Sequence, residues 1–328
     1  MSTRTLRTVS IAGVVVGTWC LAAGPASRLA NHASPAAAVN RPAIAHAASA
    51  PAGQAARNAA PAAPKYPPQG LVKACEEQAE SLRKRLDKSF LVTVRPPFVA
   101  AGNMSRAELD QYVDWSVVRP AKALWKGYFQ TRPDKVITVL LFVGDEVYRG
   151  WAKRLYGDKD VAHFGYYKHE ERTLVMNIAT GSGTLVHELT HALIVYDFPD
   201  LPLWFNEGFA SLHEQCNVGE DEIIGLTNWR LGGLQAAIAS KKLRPLRDLV
   251  TQRDFYGPRQ GLNYAQARYF CLYMQRQGRL KDFYAYLRKN HTGAGADAEA
   301  VEHVFGRKIE AIEPEFIEFV KTLRFPAD

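Results

Sequence analysis

The chain is poor in cysteine, and its cysteines show no metal-binding or redox spacing. It has four cysteines among 328 residues, and no two of them form a CxxC pair. That spacing excludes zinc knuckles and thioredoxin-like redox motifs. One cysteine, Cys20, lies in the N-terminal leader described below. For Cys75, Cys216 and Cys271 two alternatives stay open: one disulfide with a free thiol, or three reduced, buried thiols.

Acidic residues are missing from the first 68 residues, which contain six arginines or lysines and no aspartate or glutamate. Of the formal net charge of +8, only +2 therefore belongs to residues 69–328. That part of the chain is nearly balanced and has no long basic stripe. The charge distribution removes the main support for a nucleic-acid partner, and we expect none.

Residues 1–26 have the layout of a secretory signal peptide. Arg4 and Arg7 precede a long uncharged run, and small residues surround Ala26, where a signal peptidase would cleave. The uncharged run is also just long enough to stay in a membrane as an uncleaved anchor, although we favour cleavage. Residues 27–68 are mostly alanine and proline, which predicts a disordered linker. We therefore expect a secreted protein, or one of the periplasm or cell envelope.

Residues 69–328 predict one domain with a small sheet first and helices after it. Residues 89–95 and 136–142 are apolar or β-branched runs typical of strands, and residues 164–178 read as a hairpin. The second hairpin strand, Arg172 to Ile178, is either a sheet edge open to an extended peptide or an internal strand. Helices are predicted at residues 71–88, 105–129 with a kink or a split at Pro120, 145–155, 184–196, 203–215, 227–240, 263–276, 279–290 and 297–323. The prediction is an α+β fold, in which a small mixed sheet and an active-site helix precede a mainly helical C-terminal half.

The most informative motif is the sequence His-Glu-Leu-Thr-His at residues 187–191. On a helix, a spacing of four places His187 and His191 on one face, one turn apart, so that both imidazoles can bind a single ion. The flanking residues are strongly apolar. Two imidazoles beside a carboxylate would be costly in such surroundings without a partner, and a zinc ion supplies that partner.

Glu207 is the acidic residue best placed to provide a third ligand. It lies sixteen residues beyond His191, inside the apolar segment from Trp204 to Ser211. The interval contains Pro199 and Pro202, which end the first helix and redirect the chain. Two helices joined in this way can aim Glu207 at the histidines. The alternative is a glutamate that only complements the helix dipole.

These two segments together resemble the signature of the gluzincin clan of zinc metallopeptidases. The second segment is similar to that of the aminopeptidase N-like family. The interval before the glutamate is shorter here, however, and residues 174–178 lack the Gly-x-Met-Glu-Asn pattern with which aminopeptidases hold a substrate's amino terminus. Residues 130–323 as a whole look more like the peptidase MA-like family. The resemblance implies a thermolysin-like catalytic core that hydrolyses peptides or proteins, and it does not extend to aminopeptidase specificity.

The resemblance also implies a role for each residue of the site. One Zn²⁺ ion would be held by His187, His191 and Glu207, with a fourth position open to water. Glu188 would act as the general base that takes the proton of that water. By analogy with the downstream tyrosine of gluzincins, Tyr264 would stabilise the oxyanion, unless it is simply a core or surface tyrosine. Tyr269 and Tyr273 compete with Tyr264 for this role.

Other polar residues leave alternatives open. Glu214, next to His213, either orients a ligand histidine or belongs to a solvated helix end. His163, His169, His291 and His303 stand in polar or loop contexts and are predicted to be surface residues. The alternative to a peptidase is a zinc-containing binding or scaffold protein of the cell envelope without catalysis, although a purely structural site does not need Glu188.

Overall fold

A five-stranded mixed sheet forms the first half of the domain. The computed structural model describes residues 66–158, 161–162 and 164–326; the leader, nearly all of the linker and His163 lie outside this part. The strands are β1 (Leu91–Arg95), β2 (Phe98–Gly102), β3 (Ile137–Phe142), β4 (Gly165–Lys168) and β5 (Thr173–Asn177), in the order β1-β2-β3-β5-β4. β2, β3 and β5 are parallel, whereas β1 and β4 are antiparallel edge strands.

Both faces of this sheet are covered, which explains the near-continuous apolar sequence of β3. Val139 and Leu141 belong to the large core shared with the helical half. Leu140 and Phe142 point to the other face and join a second core beneath α1 (Gln69–Arg85) and α4 (Asp145–Tyr156). Burial on both faces fixes the register, since a shift by one residue would exchange the two sets of side chains.

Helices dominate the second half. They are α5 (Gly183–Asp197), α6 (Leu203–Leu212), α7 (Arg230–Ala239), α8 (Leu246–Thr251), α9 (Gln260–Arg276), α10 (Leu280–Asn290), α11 (Ala294–Phe305) and α12 (Ile309–Thr322). A short hairpin of β6 (Cys216–Val218) and β7 (Ile223–Gly225) interrupts them. Among the described residues, no helix is both long enough and apolar enough to cross a membrane. The chain is thus a mixed α and β structure in which the sheet comes first.

Two predictions that left alternatives open are decided by the structure. The strand from Arg172 to Ile178 is internal, because β5 lies between β3 and β4; the edge is β4. The helix predicted at residues 105–129, with a kink or split at Pro120, is divided into α2 (Arg106–Val113), a π-helical turn (Asp114–Val118) and α3 (Arg119–Gly127). Pro120 stands in the first turn of α3, directly after the π-helical turn.

The helix predicted at residues 297–323 is also divided. Gly306 ends α11 with a left-handed conformation (φ 69°) that a β-carbon would disfavour. The prediction missed β2, the β6–β7 hairpin and α8. Cys75, Cys216 and Cys271 are all free thiols, and of these Cys216 is only half-buried. The alternative with one disulfide is therefore wrong for this structure.

Candidate metal centre

Helix α5 carries both histidines of the motif. Its sequence is apolar on nearly every side, and eight of its fifteen residues are buried, among them His187. The spacing of four aligns the rings on one face, and the two Nε2 atoms lie 3.0 Å apart. The helical geometry expected from the motif is therefore present, with both histidines presenting the same ring nitrogen to one point.

The C-terminal end of α5 is fixed by Asp197. Its carboxylate accepts hydrogen bonds from the backbone N–H groups of Gln130 and Thr131, at 2.6 and 2.7 Å. It also accepts from the Tyr284 hydroxyl at 2.8 Å and forms an ion pair of 3.0 Å with Arg288. These contacts tie the end of α5 to the segment after α3 and to α10.

Helix α6 supplies the third residue. A turn, in which Leu201 N–H donates to Phe198 O, separates the two helices, and Pro202 precedes the first residue of α6. Glu207 is buried on this helix, and its Oε2 atom lies 3.5 Å from Nε2 of His187 and 3.5 Å from Nε2 of His191. Residues sixteen positions apart thus meet at one point, as the two-helix arrangement predicted.

The three donor atoms form a triangle with sides of 3.0, 3.5 and 3.5 Å. In a tetrahedral zinc site with ligand distances of about 2.0–2.1 Å, neighbouring donors are separated by about 3.3 Å. Oε2 of Glu207 is buried and has no hydrogen-bond partner among the residues that the structure describes. A buried carboxylate oxygen without a partner is costly unless an ion or a water molecule meets it. His187, His191 and Glu207 are therefore positioned to bind a metal ion.

Each histidine has an oxygen atom on its far side. Nδ1 of His191 lies 2.9 Å from Oδ1 of Asn206 in a hydrogen bond, and Nδ1 of His187 lies 3.3 Å from Oε1 of Glu214 in an ion-pair contact. An oxygen that faces Nδ1 favours the proton on that nitrogen and leaves the Nε2 lone pair free for a metal. Both Nε2 atoms can therefore serve as ligands.

Glu214 is itself held by residues from the start of α7. Arg230 donates to its two carboxylate oxygens, at 2.8 and 3.1 Å, and Asn228 Nδ2 donates to Oε2 at 3.1 Å. Burial alone would raise the pKa of Glu214, but the contacts with His187 and Arg230 lower it to about 2. Glu214 is therefore a buried carboxylate beneath the metal ligands. It is not part of a solvated helix end, so that alternative is wrong.

The electrostatic balance of the cluster favours a positive charge at its centre. Burial opposes the charged form of His187, yet Glu207 and Glu214 raise its pKa to about 10. Burial would also raise the pKa of Glu207, but the two histidines hold it well below its usual range. A divalent cation would supply such a charge at this place.

Glu188 stands between the two histidines in sequence and faces a different element. Burial raises the pKa of its carboxyl, and the neighbouring His187 and His191 oppose that shift. The backbone N–H of Tyr167, on the edge strand β4, faces the same carboxylate. The side chain therefore lies beside the metal ligands but outside the ligand set, since its carboxylate is turned toward the sheet.

Two tyrosines, Tyr256 and Tyr264, have their hydroxyl groups close to Glu207. The Tyr256 hydroxyl donates to Oε1 of Glu207 at 2.5 Å. Tyr264 is half-buried beside Tyr256, and burial together with the charge of Glu207 raises the pKa of its hydroxyl. Tyr269 and Tyr273, the alternatives to Tyr264, bond to Asn228 and Glu315 instead. Of the three tyrosines considered from the sequence, only Tyr264 has its hydroxyl at the site.

The histidines outside the motif differ in their surroundings. His169 and His303 are exposed, as predicted. The surface prediction is wrong for His291, which is largely buried with Nδ1 3.1 Å from Oδ1 of Asp297. His213 is fully buried, and burial lowers its pKa to about 3. The polar loop sequence around His291 therefore did not indicate its burial, because the carboxylate of Asp297, on α11, lies next to the ring.

Three residues of the site were missed from the sequence: Asn206, Arg230 and Tyr256. Asn206 was detectable, because it precedes Glu207 on the ligand helix. No local pattern marks the other two. Among known proteins, no family model and no curated sequence matches this chain.

Proposed function

We propose that this chain is a zinc-dependent peptidase of the gluzincin type, secreted or located in the cell envelope. The observation that carries the proposal is the triangle of donor atoms from His187, His191 and Glu207, with Glu188 beside it. Three protein ligands with room for a fourth, and an adjacent carboxylate that is not a ligand, are the requirements of a catalytic rather than a structural zinc site.

The donor set favours zinc over the other common metals. Two imidazole nitrogens and one carboxylate oxygen suit a borderline-soft ion, whereas calcium and magnesium take sites made of oxygen alone. Burial of His187 and Glu207, together with the oxygen atoms that face Nδ1 of both histidines, is typical of sites that bind zinc tightly. When bound, the ion would supply an activated water molecule and polarise the scissile carbonyl.

Residues of the chain itself carry out the other steps of the proposed reaction. Glu188 takes the proton of the attacking water and returns it to the leaving amine. Burial favours this role, since a raised pKa brings the carboxyl closer to the pH at which it can both accept and release a proton. The hydroxyl of Tyr264 is the candidate donor to the developing oxyanion. The edge strand β4, next to Glu188, can align an extended peptide by backbone hydrogen bonds.

The test is hydrolysis of casein and of a peptide library by the purified chain from residue 69. We expect cleavage that a chelator abolishes and zinc restores. Glu188→Gln removes the base but none of the three ligands. It should therefore retain stoichiometric zinc while losing activity by about 10²-fold or more. Zinc binding without hydrolysis in the wild type would contradict the proposal and favour the alternative, a non-catalytic zinc-containing binding or scaffold protein.

A further inference from the structure

Tyr256 reaches the site from a loop rather than from a helix. It stands between α8 and α9, in a segment of residues 252–259. The residue is 37% exposed, yet its hydroxyl donates a short hydrogen bond of 2.5 Å to Oε1 of the buried Glu207. A residue that is open to solvent at one end and bonded to a metal ligand at the other is well placed to act on that ligand.

The two oxygens of Glu207 have different surroundings. Oε1 accepts a hydrogen bond from the Tyr256 hydroxyl. Oε2 has no hydrogen-bond partner in the described part of the chain and lies 3.5 Å from both histidine Nε2 atoms. A carboxylate can bind a cation through one oxygen or through both. The hydrogen bond occupies one oxygen and orients the other toward the imidazoles, so the arrangement selects binding through Oε2 alone.

The loop that carries Tyr256 is fastened on its N-terminal side. The buried Arg244 donates to Oδ1 of Asp254 at 2.6 Å and to Oδ1 of Asn263 at 3.3 Å. Asn263, on α9, donates in turn to the backbone oxygen of Phe255 at 2.8 Å. The two residues preceding Tyr256 are thus bonded to fixed parts of the fold. The hydroxyl therefore sits in a position that the fold determines and that a flexible loop would not maintain.

We propose that Tyr256 is a positioning residue for the metal centre: its hydroxyl fixes Glu207 as a ligand through Oε2 alone and keeps the fourth coordination position open. The inference rests on the proposed metal centre. It does not depend on which substrate is cleaved, or on whether any is cleaved.

Tyr256→Phe removes the hydroxyl and preserves the ring, so metal binding by the full chain can be compared directly with the wild type. Loss of an outer hydrogen-bond partner typically weakens metal affinity by about 10–100-fold. We expect that loss in zinc competition against a chelator. In the Co²⁺-substituted protein, the freed Oε1 can also bind, and the resulting five-coordinate ion should show weaker visible absorption than the four-coordinate wild type.

Tyr112→Phe is the matched control, because the Tyr112 hydroxyl on α2 has no partner among the described residues. It should leave affinity and spectrum unchanged. Asp254→Asn loosens the loop but keeps the hydroxyl, and it should produce the same changes to a smaller extent. Affinity within twofold of wild type together with an unchanged Co²⁺ spectrum in Tyr256→Phe would overturn the inference. A wild type that binds zinc but cleaves nothing would instead contradict only the proposed peptidase activity.

Discussion

Removing the carboxylate of Glu214 should weaken metal binding and destabilise the fold through separate causes. Its side chain is only 7% exposed and contacts His187 on one side and Arg230 on the other. In Glu214→Ala, Nδ1 of His187 loses the carboxylate that faces it. Arg230 loses both of its charge-assisted hydrogen bonds, and Asn228 loses one. The first loss concerns the metal ligand, and the others concern the stability of the apo-protein.

The size of each effect follows from these contacts. Breaking a buried ion pair by removing one partner costs about 3–5 kcal/mol. The Arg230 side chain is 23% exposed, so water can partly solvate it, and the lower end, about 3 kcal/mol, is expected for the free energy of unfolding. Loss of the acceptor behind a ligand histidine should weaken zinc affinity by about 10–100-fold.

A double variant separates the two effects. Glu214→Ala with Arg230→Met removes the stranded charge as well, so the apo-protein should regain stability to within about 1 kcal/mol of wild type in urea denaturation. Zinc affinity should remain low, because the acceptor behind His187 is still missing. Glu318→Ala, at an exposed ion pair with Lys321, is the control and should cost less than about 1 kcal/mol. Recovery of both quantities in the double variant would refute the reasoning.

Two further predictions concern packing and pH. A β-carbon at Gly208 would lie 2.9 Å from backbone atoms of α9, so Gly208→Ala should push α6 outward. We expect a loss of about 1–3 kcal/mol in stability and weaker zinc binding, whereas Gly232→Ala on α7, with open space around it, should stabilise slightly. Burial raises the pKa of Asp297 from 3.8 to about 6, although its partner His291 opposes the shift. The folded state therefore binds the proton more tightly than the unfolded state, and this contribution is present below about pH 4 and lost as pH rises through about 6. Melting temperatures of wild type and Asp297→Asn should diverge over that range in favour of the variant, and a constant difference would contradict the shift.

The parts of the fold that were predictable are those with a strong local pattern. The apolar run of β3 indicates burial on both faces, and the structure confirms it. β2 was not predicted, because its sequence, Phe98-Val-Ala-Ala-Gly102, has the small residues of a loop and follows two prolines. Those prolines form the turn between β1 and β2, as the pairing of Arg95 with Phe98 shows. Small side chains suit this strand because its two faces belong to the two hydrophobic cores and are both covered. A short segment of sequence does not show that packing.

The same distinction between local patterns and distant contacts applies to the candidate metal site. The two histidines were predictable because a helix brings residues four apart onto one face, and Glu207 was predictable because only one turn intervenes. Two of the residues that surround these ligands, Arg230 and Tyr256, come from distant segments. Arg230 is sixteen residues beyond the carboxylate it holds, and Tyr256 is forty-nine residues beyond the glutamate it contacts.

The ligands and their outer partners have different expected effects on metal binding. The ligands determine whether a metal can bind, while their outer partners change its affinity by about 10–100-fold. If the proposed zinc centre is correct, a chain with His187, His191 and Glu207 intact, but with Glu214 or Tyr256 replaced, would keep the sequence signature and bind zinc more weakly. On that proposal, Glu214 and Tyr256 together with the His-Glu-Leu-Thr-His motif would indicate a tight site better than the motif does alone.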